Sequence, residues 1–202
     1  MLAFNRNILG QAIQVIEAAR KQTACQDTLH QSRLSLDSSG TCTGHLTFGD
    51  TIGPHLRHIL EHYEAMIIGL PEHGGVKPQL VDYDARAHDR EIERDPAAML
   101  KRFSSLIDAM HNWNQSTLDT PVTVGLKGGI NGQYDFHTTS SIGRELLFLA
   151  GHAIHHFAII QTDCISHGLA LHSNFGKAPA TVNYEMSHPA KPAKSESLSP
   201  WR

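Results

Sequence analysis

The stretch from Gly143 to Gly168, GRELLFLAGHAIHHFAIIQTDCISHG, decides the reading of this chain. Ser140 or Ser141 just before it can cap a helix, and Gly168 supplies the stop. The run between them is apolar on almost every side, so this long helix is expected to be the most buried element. Three histidines, His152, His155 and His156, interrupt its middle, and a fourth, His167, stands at its end. At about 100° per residue, positions four apart stack on one helix face, so His152 and His156 can offer two imidazoles to one metal ion. His155 lies about 60° to the other side of His152 and cannot share that centre equally. Ala153 stands where an HExxH metalloprotease carries its general-base glutamate, so protease chemistry has no support.

A partner for that pair is found upstream. Ile52, Leu56, Ile59, Tyr63, Met66, Ile67 and Leu70 form one apolar stripe, which predicts a helix over 52–70 closed by Pro71 and Gly74-Gly75. His55, His58 and His62 follow each other at three and four residues along its flank. Packed against the Gly143–Gly168 helix, it can bring one of them to His152 and His156. His55 and His62 sit at the stripe edge and His58 slightly beyond it, so the helical wheel favours His55 or His62. Three imidazoles with an open position are the arrangement of a site that binds ligand or does chemistry.

The rest of the chain reads around these two helices. Ile8, Leu9, Ala12, Ile13, Ile16 and Ala19 predict an amphipathic helix over 3–22. Asp95-Pro96 predicts the start of another, running to about residue 114. PVTVGLKGGINGQYDFHTT, residues 121–139, alternates about a glycine-rich turn and predicts a small β-hairpin. The expected fold is therefore all-α, a four-helix bundle with a small hairpin before its last helix. It occupies residues 1–185, with a Pro/Ser/Lys-rich, disordered tail over 186–202.

The connection over 71–94 is long for a compact domain and ends in VDYDARAHDREIERD. One reading is a solvated charged loop with surface ion pairs. The other folds it over a pocket, where Asp82 or Tyr83 serves acid–base chemistry and Arg86 meets a substrate anion. Arg144 and Glu145 are expected to form an ion pair to this loop, and Cys164 to be a core residue.

Composition bounds the possibilities. The 202 residues contain 15 histidines, 17 Lys+Arg and 20 Asp+Glu, a formal charge of −3 that argues against general nucleic-acid binding. Three cysteines without CxxC spacing do not make a disulfide framework. Neither a signal peptide nor a membrane span is legible, so the expected setting is the cytoplasm, with no membrane and no nucleic-acid partner.

GPHLRH, VDYDAR, GRELLFLAGHAIHH and FGKAP, in this order over residues 3–185, resemble the DinB/YfiT-like superfamily of metal-binding helical bundles. The resemblance implies His58, His152 and His156 as metal ligands, leaving His55, His62 and His155 as their supporting neighbours. It implies a divalent ion, zinc or nickel with iron as a third candidate, and a homodimer. The activity it implies is a thiol-dependent transferase or hydrolase acting on a small-molecule thiol or other small substrate. Competing with that expectation are a non-catalytic, metal-stabilised bundle serving as a binding or stress-response module, and a metal-free polar core of histidines.

Overall fold

The computed structural model describes residues 1–33, 48–68, 70 and 80–189. Four long helices form its frame: α1 (Leu2–Arg33), α2 (Ile52–Ile68), α3 (Pro96–Ala109) and α5 (Ile142–Ser166). Helix α1 packs on α3 and α5, and α2 packs on the same two. The core between them collects Leu9 and Ile16 of α1, Leu56 and Tyr63 of α2, Phe103 of α3 and Phe157 of α5, all buried. Local chemistry sets the helix ends. The Asp95 carboxylate accepts from the Ala97 and Ala98 amides ahead of Pro96, occupying donors that the first turn of α3 leaves free. The Ser141 hydroxyl accepts from the Arg144 amide at 3.2 Å and opens α5. Gly168, at φ +71°, ends it.

The fold is not all-α. Besides six α-helices, the described residues contain a three-stranded mixed sheet. β2 (Pro121–Gly128) and β3 (Tyr134–Ser141) form an antiparallel hairpin in which Val124 faces Thr138. β1 (Leu80–Asp82) adds to β2 in parallel, with Val81 opposite Val124. It lies inside the segment expected to be loop. Three residues are too few to show an alternating pattern, and the strand exists because β2 offers it an edge. The expected four-helix bundle with a bare hairpin is thereby corrected to a mixed α and β architecture. The parallel pairing also places Tyr83 and the residues after it over the helices.

Two further expectations change. Helix α5 is one-sided rather than buried all round: Leu149, Ala153, Phe157 and Ile160 face the core, while Leu147 and Ile165 are exposed. Its apolar content exceeds the surface that α1 and α2 can cover. Beyond it the chain turns back, and Phe175 packs on Phe157 with ring centroids 4.9 Å apart. Gly176 makes this return possible, since at φ +70° a Cβ there would stand 2.8 Å from the backbone of Phe157 and Ala158. A short helix, α6 (Pro179–Ser187), follows and passes the expected domain end at 185; most of the expected tail, 190–202, lies outside the described residues. Helix α4 (Gln115–Leu118) is a single capped turn before the hairpin.

Candidate metal centre

Helices α2 and α5 pack along their histidine-bearing faces. Spacing of three and four residues on each therefore becomes a cluster in space. The imidazole nitrogens of His58, His152 and His156 come within 4.8 Å of one another, a span one ion can bridge once the rings turn toward it. Ring centroids separate by 5.0 Å for His58–His152, 4.7 Å for His58–His156 and 4.7 Å for His152–His156.

Hydrogen bonds sort the six histidines. His62 is 6% exposed, and its Nδ1 lies 2.7 Å from the His58 carbonyl oxygen. A carbonyl only accepts, so Nδ1 carries the proton. Its Nε2 is then the acceptor, and Arg86 donates to it from Nη1 at 3.1 Å. Both nitrogens of His62 are engaged, which leaves it no lone pair for a metal. His55 Nδ1 stands 3.0 Å from His156 Nδ1. With the shared proton on His156, its Nε2 keeps a lone pair, and His55 holds the ring in place. His155 is exposed and touches only the edge of His156, with centroids 5.4 Å apart. His152 differs from all of these, because its Nε2 is buried with no hydrogen-bond partner. A buried nitrogen left so is costly unless something binds it.

The electrostatics suit an ion as well. Burial, reinforced by the neighbouring histidines, lowers the pKa of His58 to about 3 and of His156 to about 4. Burial likewise lowers His152, with His155 and Arg86 adding to the effect. All three imidazoles are thus neutral near pH 7, the form that ligates metals. The donor set and the orphaned His152 nitrogen both fit a divalent ion.

Two of the three expected residues, Arg86 and Tyr83, reach this cluster, and Asp82 does not. The Arg86 guanidinium donates from Nη1 to His62 and to the Tyr83 carbonyl oxygen. The polar groups of Asp82 and Tyr83 are used otherwise. The Asp82 carboxylate accepts from the Asp84 and Ala85 amides at 2.9 and 3.2 Å, closing the turn. The Tyr83 hydroxyl donates to Glu145 Oε2 at 2.8 Å, and its ring stacks on His62. Burial and the Glu145 carboxylate push the Tyr83 phenol well above its ordinary pKa.

Two carboxylates fasten the loop: Glu145, expected to reach it as an ion pair, and Glu61, which had no place in the sequence expectations. Glu145, fully buried, also accepts from Ser140 Oγ at 2.5 Å and Arg144 Nη1 at 2.8 Å. The pair with Arg144 is thus between neighbours on α5, and Glu145 meets the loop through a phenol rather than a cation. Glu61 pairs with Arg57 at 2.7 Å and accepts from the Asp89 amide at 2.8 Å. Arg57 continues to Glu93 at 2.7 Å, and Arg102 joins Glu64 and Asp89 at 2.5 and 3.2 Å. The available signals were Arg57–Glu61 at i,i+4 and a glutamate inside an apolar run. Cys164 is buried, and burial pushes its thiol up to about 12, which fits an inert core residue.

No protein-family model matches the chain, and no solved structure matches it. A protein of Rhizopus delemar named FK506-binding protein 5 is 32% identical over 105 residues. The match covers 52% of this chain and 27% of that protein, so the chain corresponds to about a quarter of its relative. Among the described residues no helix is long and apolar enough to cross a membrane.

Proposed function

We propose that the protein is a metal-dependent enzyme of the DinB-like superfamily, of thiol-dependent transferase or hydrolase type, with His58, His152 and His156 as ligands. The observation that carries the proposal is the buried His152 Nε2 without a partner, facing two further neutral imidazoles. Zinc or nickel, with iron as a third candidate, suits three nitrogen donors. Such an ion supplies Lewis acidity, lowering the proton affinity of a thiol or water brought to its open position. The chain's own residues do the rest. His55 orients His156, His62 carries Arg86, and Arg86 stands where a substrate group can be held. A small-molecule thiol as substrate, a homodimer and a cytoplasmic setting complete the proposal.

A non-catalytic, metal-stabilised bundle is the second reading. It is favoured by Asp82 and Tyr83, whose polar groups are engaged in holding the loop. Elemental analysis of untagged protein tests the centre, with about one ion per chain expected and none in His152→Ala. Stoichiometric metal in a His58/His152/His156 triple-alanine variant would sink the assignment. A thermal-shift screen of low-molecular-weight thiols on loaded protein separates the two readings, since the scaffold predicts no response.

A further inference from the structure

Arg86 is a cation with one edge in use. Both hydrogens of Nη1 are engaged, one by His62 Nε2 and one by the Tyr83 carbonyl oxygen. The Nε–H is buried and has no hydrogen-bond partner. No carboxylate forms an ion pair with Arg86 among the described residues. The two acidic groups whose charges act on it are occupied elsewhere: Glu61 by Arg57 and the Asp89 amide, and Asp84 by the Lys127 amide at 2.7 Å. Beside it, the proposed ligands are three neutral imidazoles, which cancel none of a divalent ion's charge. Arginine and ion together would then form a positive field in which no carboxylate is paired with Arg86 among the described residues.

We propose that the centre takes a carboxylate substrate or product, held through the free Nε edge of Arg86 beside the three histidines. This rests on the metal-centre proposal above and names the ligand class of that site. The planar guanidinium fork matches two carboxylate oxygens, whereas a thiolate offers a single acceptor atom. A phosphate, with more charge and a third oxygen, calls for more donors than this one edge. The ligand's body has the exposed Phe148 ring to lie against. Tyr83, His62, His152 and Phe148 form a closed ring of aromatic neighbours with centroids 4.5–5.7 Å apart, and Phe148 is 40% exposed.

Benzoate, with its uncharged isostere benzamide, is therefore the probe, titrated calorimetrically into zinc-loaded protein. Benzoate is expected to bind and benzamide to bind at least tenfold more weakly. Arg86→Gln is expected to lower benzoate affinity at least tenfold with zinc content at the wild-type level, and to lower the melting temperature because His62 Nε2 and the Tyr83 carbonyl lose their donor. Arg86→Lys, which keeps the charge without the fork, recovers part of the loss and decides the matter if the glutamine variant does not fold. Equal affinity for the two probes, or wild-type benzoate affinity in both variants, overturns the proposal. If the protein takes up no zinc, the metal-centre proposal fails by itself. The same titration of metal-free protein then decides the role of Arg86: Arg86-dependent benzoate binding supports it, and no binding overturns it.

Discussion

A histidine can meet an ion with either ring nitrogen, and the partner of the other nitrogen decides which one is free. In this cluster that partner is visible for His156, whose Nδ1 meets His55, and for His62, whose two nitrogens are consumed by a carbonyl and Arg86. Replacing His55 with glutamine removes the group that sets the His156 ring. Zinc affinity is expected to fall about 10–100-fold, read by competition with a chelating dye. His155→Gln, at an exposed position, should leave it unchanged. Equal affinities in the two variants would mean that His55 does not orient the ligand. The helical wheel pointed to His55 or His62 on α2, whereas the structure groups His58 with His152 and His156. The distinction depends on atoms contributed by α5 and by Arg86, 24 residues beyond His62.

At the scale of elements, the centre depends on how the loop after β1 is tied down. Tyr83 joins it to α5 through Glu145, and Glu61 joins it to α2 through the Asp89 amide. Removing the phenol oxygen leaves a buried carboxylate one donor short, which costs about 1–3 kcal/mol. Tyr83→Phe is therefore expected to lower unfolding free energy by that amount in urea titration, with metal stoichiometry intact. A loss below about 0.5 kcal/mol would show that Ser140 and Arg144 satisfy Glu145 without it. Legibility in the sequence followed element length. Asp95-Pro96 and the long stripe of α2 announced themselves, and the alternation of β2 and β3 announced the hairpin. The three residues of β1 have no period to show, so the third strand, and with it the mixed sheet, could not be read.

For the whole molecule, the clustered imidazoles predict how stability depends on pH. Burial lowers the folded-state pKa of His58 to about 3, and those of His62 and His156 to about 4, from an ordinary 6.5. Above pH 6.5 neither state is protonated at these positions. As pH falls below that, the unfolded chain takes up protons that the folded chain refuses, so folding is progressively disfavoured. The melting temperature of metal-free protein is expected to drop between pH 6.5 and about 4. Saturating zinc, which binds the folded state, should raise the whole curve and move the drop to lower pH. A flat profile in the metal-free protein would show that the imidazoles are not held neutral by burial.

Taken alone, the sequence determined where the long helices begin, the hairpin and the two histidine-bearing flanks, because each is written in local periodicity, but not their ends: α1, expected to stop at 22, runs to Arg33. It also placed Arg86 in a charged loop close to where it is found. Only the tertiary structure decided that β1 pairs with β2, that α5 keeps an exposed side, that Glu61 fastens the loop and that Glu145 does so through a phenol. The same holds for His62, whose lone pair is taken by the hydrogen bond from Arg86, and for His152, whose buried Nε2 is left without a partner. Each of these depends on groups far apart along the chain, and a pattern read along one helix carries no record of the neighbour that helix will meet.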